Sequence, residues 1–282
     1  MPQRPSSFDL VVATVGRDDA LGRLLDSIAA QEADVRVIVV DQNEDERLDG
    51  VLDATRLPIE RVRSSRGLSR ARNAALPHLK ADLVAFPDDD CTYPPGLLSR
   101  IAARFAAEPA LDGLTGRAED AGGRSAASWK RDRAVLTDDN LWNRAISFTI
   151  FLRRRVVEAV GAFDEELGLG SGTPWSSGEE IDYLVRAIRG GARIEYDPSL
   201  VVTHDVRADD AGIGARDGAS VGYLLRKHRY GRRVLGRMLV RPVGGAGASL
   251  LQRDLARSRY HLATLTGRVR GYRGAKRSNT AA

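Results

Sequence analysis

Residues 9–105 alternate short apolar runs with segments in which leucine and isoleucine recur every three or four positions. The short runs predict buried strands, and the recurring spacing predicts amphipathic helices. Because a strand covered on both faces reads as a continuous apolar run, the order predicts an α/β fold with a mixed, mostly parallel, Rossmann-like sheet flanked by helices. The predicted strands are 9–15, 35–40, 59–62 and 82–86, and the predicted helices are 21–28, 68–79 and 94–105.

The pattern is less regular in the middle of the chain, where polar and glycine-rich stretches separate the apolar runs. Glycine clusters are typical of loops, so a segment with five glycines is expected to be mobile. The predictions here are, in chain order, a polar stretch over 118–139, a buried strand over 145–152, a helix near Val156, a mobile loop over 161–178, a helix from Glu179, and two short strands near Ile194 and Val201.

Composition limits the class of protein. The chain has 282 residues, 43% of them hydrophobic, which suffices for a large core and excludes global disorder. Its single cysteine, Cys91, cannot form an internal disulfide, so the expected compartment is the cytoplasm. The N-terminus lacks the apolar core of a signal peptide, and no window is apolar enough for a membrane span.

Charge divides the chain into two parts. Residues 221–282 carry 15 Lys and Arg but one acid, Asp254, whereas residues 1–220 carry 28 basic and 37 acidic residues. We therefore predict a catalytic or binding domain over 1–220 and a basic, helical region over 221–282 that meets an anionic partner.

Two apolar stripes at helical spacing run through the basic region. One stripe comprises Leu224, His228, Leu235, Met238 and Leu239, and the other comprises Leu251, Leu255, Leu262, Leu265 and Val269. Basic amphipathic helices bind anionic membrane surfaces, because the apolar face enters the acyl boundary while arginines meet the headgroups. The alternative is that both stripes pack against the body of the protein. Nucleic acid is not an expected partner, because interleaved aromatic residues are lacking.

Carboxylates follow two of the predicted strands. Asp41 ends the second strand, and Asp88, Asp89 and Asp90 follow the fourth. Ligands of such sheets bind outside the carboxyl ends of the strands. Carboxylates two residues apart, such as Asp88 and Asp90, can hold Mg²⁺ or Mn²⁺. A solvated acidic turn is the alternative, and the position at the sheet edge favours the cation site.

Three further features each have a functional and a structural interpretation. Glu179 and Glu180 could be catalytic, but helix capping and the helix dipole explain acids in a first turn, and capping is favoured from these residues alone. The stretch "RGLSRARN" (66–73) could bind phosphate or nucleoside at a helix start, or could be an ordinary helix start. His204, taken alone, is more often structural than a metal ligand.

Taken in order, several segments resemble family 2 glycosyltransferases with the GT-A fold. The resemblance spans about residues 8–205, and Glu180 stands where the family more commonly has aspartate. It implies inverting transfer of a sugar from a nucleotide diphosphate donor, with UDP- or dTDP-sugars favoured, to a hydroxyl of a saccharide or lipid-linked acceptor. The basic region then predicts envelope polysaccharide or glycolipid synthesis at the inner face of the plasma membrane. The segments are "VVATVGR", "VVDQNE", "RGLSRARN", "FPDDDC", "GAFDEELGLGSG" and "GEEIDYLVRAIRGGARIEYDPSLVVTH".

The resemblance also implies a role for each candidate residue. Glu180 is the expected catalytic base, with Glu179 in reserve. The expected contacts of the donor nucleotide are Thr14, Arg17, Asp41, Arg66, Gly67, Arg72, Asp88 and Asp89. The expected ligands of Mn²⁺ or Mg²⁺ are Asp90, Asp88 and His204, and the expected acceptor-side residues are Trp175, Gly178 and Asp182.

Two other functions fit part of the sequence. A nucleotidyltransferase also uses strand-end carboxylates with a divalent ion, although residues 14–19 make a poor triphosphate loop. A non-catalytic, membrane-associated scaffold could retain the same fold. Transfer or hydrolysis of a nucleotide sugar in the presence of Mn²⁺ distinguishes an enzyme from a scaffold.

Overall fold

The computed structural model describes residues 6–125, 129–205 and 210–274. Contacts within the chain group it into two units, the first comprising Met1–Phe163 and Tyr183–Val206, and the second comprising Asp164–Asp182 and Arg207–Ala282. Residue 220, where we predicted a domain boundary, lies in a helix that begins at Ala211 and ends at Lys227, and the predicted boundary stays a prediction. The last part of the predicted basic region, residues 275–282, lies outside the described residues.

The first unit is built on a sheet that contains nine strands in the described residues. The strands are β1 (Phe8–Thr14), β2 (Val35–Asp41), β3 (Ile59–Arg63), β4 (Leu83–Ala85), β5 (Cys91–Thr92), β6 (Gly113–Glu119), β7 (Ala134–Val135), β8 (Ile150–Arg153) and β9 (Ile194–His204). Their order is β3-β2-β1-β4-β8-β6-β9-β5, and β7 pairs with β9. Strands β3, β2, β1 and β4 are parallel, whereas β8 is antiparallel to both its neighbours. The predicted mixed α/β sheet is confirmed.

Nine α-helices accompany this sheet in the described residues, and α6 crosses the division between the units. They are α1 (Asp18–Ala29), α2 (Asp49–Ala54), α3 (Leu68–Ala75), α4 (Leu97–Ala107), α5 (Arg154–Val160), α6 (Glu179–Arg189), α7 (Ala211–Lys227), α8 (Arg232–Leu251) and α9 (Leu255–Gly274). The apolar spacing predicted α1 because Leu21, Leu24, Leu25 and Ile28 share one face, and all four are buried against the sheet core.

Two elements begin later than the sequence predicts. Pro94 and Pro95 precede α4 instead of lying in its first turn, because the helix begins only after Gly96, whose φ is +73°. The predicted strand over 145–152 begins later, since a 3₁₀ turn over Ser147–Thr149 precedes β8.

The two short strands predicted near Ile194 and Val201 form the single strand β9. Its register against β6 shifts between Thr115 and Arg117. Gly116 lies at this shift, and a Cβ there would be 2.2 Å from the carbonyl oxygen of Leu200. A residue without a side chain therefore allows the irregular but continuous strand.

Helices α7 and α9 of the second unit pack through their backbones. A Cβ on Gly222 would lie 2.0 Å from the carbonyl oxygen of Arg268, and a Cβ on Gly271 would lie 1.9 Å from that of Ala219. Only residues without a side chain permit so close an approach. The contact between these helices therefore depends on glycine spacing instead of on the apolar stripes that the sequence suggested.

The two predicted stripes have different environments. The first is divided between α7 and α8, and Leu224, His228 and Met238 from it are buried. From the second, Leu251, Leu255 and Leu262 are exposed. Packing against the protein thus accounts for the first stripe but not for these leucines. Within the described residues, no helix combines the length and the hydropathy needed to cross a bilayer.

Candidate functional site

The carboxyl ends of three strands lie together at one edge of the sheet. Thr14 at the end of β1 pairs in register with Asp41 at the end of β2. Ala13 forms a bridge with Asp88, which follows β4. This arrangement brings the predicted acids to the carboxyl edge of one sheet, as the order of strands implied.

Asp88, Asp90 and His204 form the centre of the candidate site. Antiparallel pairing of β5 and β9 sets Cys91 opposite His204 and so places the histidine beside the acids. One potential ligand atom from each of the three side chains lies within 4.8 Å of the others, and Nε2 of His204 is 3.2 Å from Asp90. Two carboxylates and an imidazole suit Mn²⁺ or Mg²⁺, so the residues present fit a divalent cation.

Neighbouring groups orient two of these side chains. The Ser147 hydroxyl donates to Asp88 at 3.1 Å, and the Phe148 ring stacks on His204 with centroids 4.8 Å apart. Nδ1 of His204 lies 2.8 Å from the carbonyl oxygen of Asp205, which can only accept. Both ring nitrogens therefore face oxygen atoms, so Nε2 donates to Asp90 when it carries a proton and would be able to bind a cation once that proton is lost. Sequence reasoning missed Ser147 and Phe148, because their segment reads as part of a strand.

Asp88, Asp89 and Asp90 form an acidic trio, and their surroundings shift the pKa values of the site. Burial raises the pKa of Asp88, although the Arg72 guanidinium opposes this effect, and burial also raises the pKa of Asp89. The hydrogen bond to Asp90 raises the pKa of His204. The folded protein therefore holds these negative charges at a cost that an additional cation would reduce.

Arg17 supplies a cation to the trio from the loop before α1. Its guanidinium lies 2.5 Å from Asp90 and 3.0 Å from Asp89. The Arg17 side chain keeps 43% of its surface exposed, so a ligand can reach it. A guanidinium at an acidic cation site is suited to phosphate as well as to carboxylate.

Arg72 lies on α3 and is almost fully buried. Its guanidinium packs against the rings of Phe86 and Phe163, at 5.8 and 5.5 Å from their centroids. It also lies 3.4 Å from Asp88. The aromatic contacts hold a fixed positive charge beside the acidic trio.

Asp41 has its partners within the protein. Both oxygens of this buried carboxylate are engaged, one by the Asn43 backbone and side-chain N–H groups at 2.8 Å, the other by Arg61 and Arg63 at 2.6 and 3.0 Å. Burial alone would raise the pKa of Asp41, but these hydrogen bonds and charges leave it lowered. Its predicted contact with the nucleoside stays a prediction.

The predicted phosphate-binding stretch begins at Arg66, which is exposed. Gly67 precedes α3 with a φ of +136°, and its N–H donates to the Gln42 side chain at 2.8 Å. A side chain at Gly67 would be strained in this conformation. The glycine is thus explained by the helix start, and its predicted donor contact is untested.

The second unit contains a different acidic cluster. Asp182, near the start of α6, is fully buried, and its carboxylate lies 2.6 Å from the Lys227 ammonium and 2.8 Å from Nε2 of His228. Lys227 also contacts Asp164 at 2.5 Å. Lys227 therefore places a positive charge between the carboxylates of Asp182 and Asp164. Sequence reasoning missed Lys227 and assigned His228 to an apolar stripe.

The remaining predicted acceptor-side residues also lie in the second unit. The Trp175 ring stacks on Tyr223 at 4.9 Å between centroids. Gly178 has a φ of +86°, and a Cβ there would lie 2.9 Å from a methyl of Leu224. Glu179 is buried with 4% of its surface exposed, whereas Glu180 is partly exposed.

The candidate residues thus divide between the two units. The predicted donor and metal residues from Thr14 to Asp90, together with His204, belong to the first unit. The predicted base and acceptor-side residues over 175–182 belong to the second. Roles for individual residues remain predictions.

The sequence matches the model of glycosyl transferase family 2 over residues 9–161, which is more than half of the chain. The chain belongs to this family. It is 29% identical over 222 residues to the pre-mycofactocin glycosyltransferase of Mycobacterium tuberculosis, a match that covers 73% of this chain. The chain spans 44% of that relative's length.

A second relative matches over more of its length. The succinoglycan biosynthesis protein ExoM of Rhizobium meliloti is 27% identical over 255 residues, covering 83% of this chain and 80% of ExoM. Among solved structures, the mannosyltransferase PcManGT of Pyrobaculum calidifontis, in complex with GDP-Man and Mn²⁺, superposes with a TM-score of 0.66 and 14% identity, covering 96% of this chain and 88% of that one. The expected GT-A fold is confirmed.

Proposed function

We propose that the protein is an inverting glycosyltransferase that moves a sugar from a nucleotide diphosphate donor to a hydroxyl of a saccharide or lipid-linked acceptor. The observation that carries this proposal is the set formed by Asp88, Asp90 and His204 at the carboxyl edge of the sheet, in a chain of glycosyl transferase family 2. Family membership supports the reaction class, and the acidic set supports a diphosphate donor.

The donor half of the reaction belongs to the first unit. Asp88, Asp90 and His204 would hold a divalent cation, which would supply a Lewis acid for the diphosphate leaving group. Arg17 and Arg72 lie beside the same carboxylates and add positive charge where phosphate oxygens become more negative. Thr14 and Asp41, at the ends of β1 and β2, are the proposed contacts of the nucleoside.

The acceptor half assigns the general base to Glu180. A single carboxylate that takes the acceptor's hydroxyl proton suffices for inversion and contributes about 10²–10⁴-fold to the rate. Glu180 is partly exposed, whereas its neighbour Glu179 is buried. Exposure favours Glu180, because a base must reach the acceptor.

For the donor nucleotide and for the acceptor, we propose a chemical class instead of a single compound. The resemblance at Asp41 favours UDP- or dTDP-sugars, while the neighbour PcManGT is in complex with GDP-Man, so guanosine donors belong in any screen. The relative ExoM is named for succinoglycan biosynthesis, which supports an envelope or extracellular polysaccharide as product. The basic region from residue 221 supports an acceptor at an anionic membrane surface.

A thermal-shift screen of UDP-, dTDP- and GDP-sugars, each with and without Mn²⁺, tests the donor proposal. We expect one nucleotide class to raise the melting temperature in a Mn²⁺-dependent way. Transfer or hydrolysis of that donor then tests the enzyme. Binding without turnover on any acceptor or water would favour the scaffold function instead.

Glu180→Gln tests the base. The amide keeps size and polarity but cannot take a proton, so transfer should fall by about 10²–10⁴-fold with donor affinity retained. Glu179→Gln is the matched control and should retain transfer. Equal losses in the two variants, or a loss explained by a lower melting temperature of Glu180→Gln, would assign these acids to helix capping.

A further inference from the structure

The exposed apolar surface of the protein is concentrated on two helices. Nine large hydrophobic side chains are exposed in the described residues, and six of them belong to α8 and α9. Their exposed fractions are 67% for Val240, 52% for Val243, 53% for Leu250, 89% for Leu251, 60% for Leu255 and 49% for Leu262. Large apolar side chains exposed together in this way mark an interaction surface.

Three of these leucines surround one tight turn. Helix α8 ends at Leu251 and α9 begins at Leu255, so Leu250 lies in the same short segment. Backbone hydrogen bonds close the turn, from Arg253 N–H to Leu250 at 3.0 Å and from Asp254 N–H to Ser249 at 2.9 Å. We call residues 250–255 the α8–α9 tip.

The inner faces of the two helices are already packed and leave the leucines outside. At about 100° per residue, Val240, Val243 and Leu251 lie on the opposite side of α8 from its buried residues. The buried residues of α8 are Val234, Met238, Pro242, Ala246 and Ser249. Those of α9 are small or polar, namely Ser258, Thr264, Gly267 and Gly271. Small residues thus form the buried face of α9, while six valine and leucine side chains of the hairpin stay exposed.

Positive charge surrounds the α8–α9 tip. Arg253, Arg257 and Arg259 are all exposed at the turn and in the first turns of α9. The nearby acid, Asp254, accepts the backbone N–H of Arg257 at 2.9 Å and so serves the start of the helix. An apolar tip with a ring of arginines is complementary to an anionic bilayer, where acyl chains lie below negatively charged headgroups.

We propose that the α8–α9 tip inserts into the headgroup and acyl boundary of an anionic membrane, with Leu250, Leu251 and Leu255 as the inserting side chains. The arginines around the turn contact lipid phosphates, and the rest of α8 lies along the surface through Val240 and Val243. The membrane contact would bring the enzyme to an acceptor at the membrane, and this role rests on the proposed function. No membrane contact is assigned to Leu224 or Met238, because both are buried.

Site-specific fluorescence tests the insertion. Leu251→Cys, labelled with an environment-sensitive dye, is mixed with phosphatidylcholine vesicles that contain about one-third phosphatidylglycerol. The native Cys91 has 1% of its surface exposed and should not compete for the dye. We expect a blue shift and quenching by nitroxide-labelled acyl chains, and neither with phosphatidylcholine alone. Val135→Cys, 49% exposed in the first unit, is the matched control and should show no change. No response at position 251, or equal responses at both positions, would overturn the proposal.

A second variant measures the contribution of the leucines to binding. Combined Leu250→Ser, Leu251→Ser and Leu255→Ser should weaken partitioning into the anionic vesicles by at least about tenfold, because each leucine loses its buried apolar area. Val135→Ser is the control and should partition like the wild type. Unchanged partitioning of the triple variant would reject insertion through the tip.

Two further readouts separate this inference from its alternatives. Analytical ultracentrifugation without lipid tests whether the tip joins two copies, since a dimer that the triple variant dissolves would reassign the tip to self-association. Transfer to a soluble acceptor should be unchanged in the triple variant. Vesicle binding without transfer from any donor would contradict the proposed function but support the membrane contact. Transfer without tip-dependent vesicle binding would support the proposed function but contradict the membrane contact.

Discussion

Asp90 and Asp182 are both carboxylates beside a histidine, but their surroundings differ. Asp182 is fully buried, and one of its oxygens lies within 2.8 Å of both Lys227 and His228. Asp90 is partly exposed and follows two further acids, with Arg17 and His204 as its partners. Lys227 thus holds a positive charge against the buried Asp182, whereas Asp90 is one of three adjacent carboxylates at a partly exposed edge.

This difference separates a cluster that stabilises the fold from one that binds a ligand. Buried charges persist only when partners neutralise them, and removing one partner is then costly. Adjacent carboxylates at a sheet edge instead cost stability until a cation arrives. Substitutions in the two clusters should therefore act on different properties.

The largest expected effect follows from Asp90→Ala. Removing this ligand atom should lower transfer by about 10³-fold or more, since a cation at the leaving group supplies several kcal/mol to the transition state. Mn²⁺-dependent donor binding, measured by calorimetry, should be lost with it. The free energy of unfolding should change by less than about 1 kcal/mol, because Asp90 is partly exposed and its removal also relieves repulsion.

Asp45→Ala provides the matched control for Asp90→Ala. Asp45 is exposed, pairs with Arg47 at 2.6 Å, and is not one of the predicted cation ligands. It should leave transfer and Mn²⁺ dependence unchanged. Unchanged turnover of Asp90→Ala would reject the cation site, and unfolding of Asp90→Ala would assign Asp90 to the same stabilising class as Asp182.

A smaller effect, on stability, is expected from Lys227→Met. The apolar side chain keeps the length of lysine but removes the positive charge 2.6 Å from the buried Asp182 carboxylate, so the free energy of unfolding should fall by about 2–4 kcal/mol. Urea denaturation measures this loss. Donor affinity at a temperature where the variant is folded should stay near that of the wild type, because Lys227 lies in the second unit.

Arg233→Met serves as the control for Lys227→Met. Arg233 is exposed on α8, and surface substitutions of this kind change stability by about 0.5 kcal/mol or less. If both variants were equally stable, the cluster around Asp182 would not be the stabilising group described above.

The sequence predicted the parts of the fold that depend on local periodicity. Strand β1, strand β2 and helix α1 follow from apolar runs and spacing, since burial repeats with the period of each element. Strands β5 and β7 each have two residues, too few for any pattern, and they exist because β9 pairs with both. Tertiary pairing of this kind leaves no local signal.

The residues of the candidate site were also predicted only where the signal is local in the sequence. The acidic trio was predicted because its residues are adjacent in sequence and follow an apolar strand. Ser147, Phe148 and Lys227 were missed, since each reaches its partner across at least 40 residues of chain, as in the 59-residue separation of Ser147 and Asp88. The glycine contact of α7 and α9 was also missed, because small residues carry no hydrophobic signal.

The smallest expected effect is that of Asp41→Asn on the pH dependence of stability. The pKa of Asp41 is lowered from the ordinary value of 3.8, because hydrogen bonds from Asn43 and Arg61 outweigh its burial. A carboxyl group of this kind stabilises the fold above its unfolded pKa, and that stabilisation is lost as the pH falls through the lower, folded pKa. Asp41→Asn should therefore lower the free energy of unfolding by about 1–2 kcal/mol at neutral pH, with the difference from wild type shrinking below about pH 4. Urea denaturation from neutral pH down to about 3 measures it. A constant difference in the free energy of unfolding across that range would show that Asp41 acts through its shape instead of its charge. Asp41 would then not belong with the charged groups that stabilise the fold.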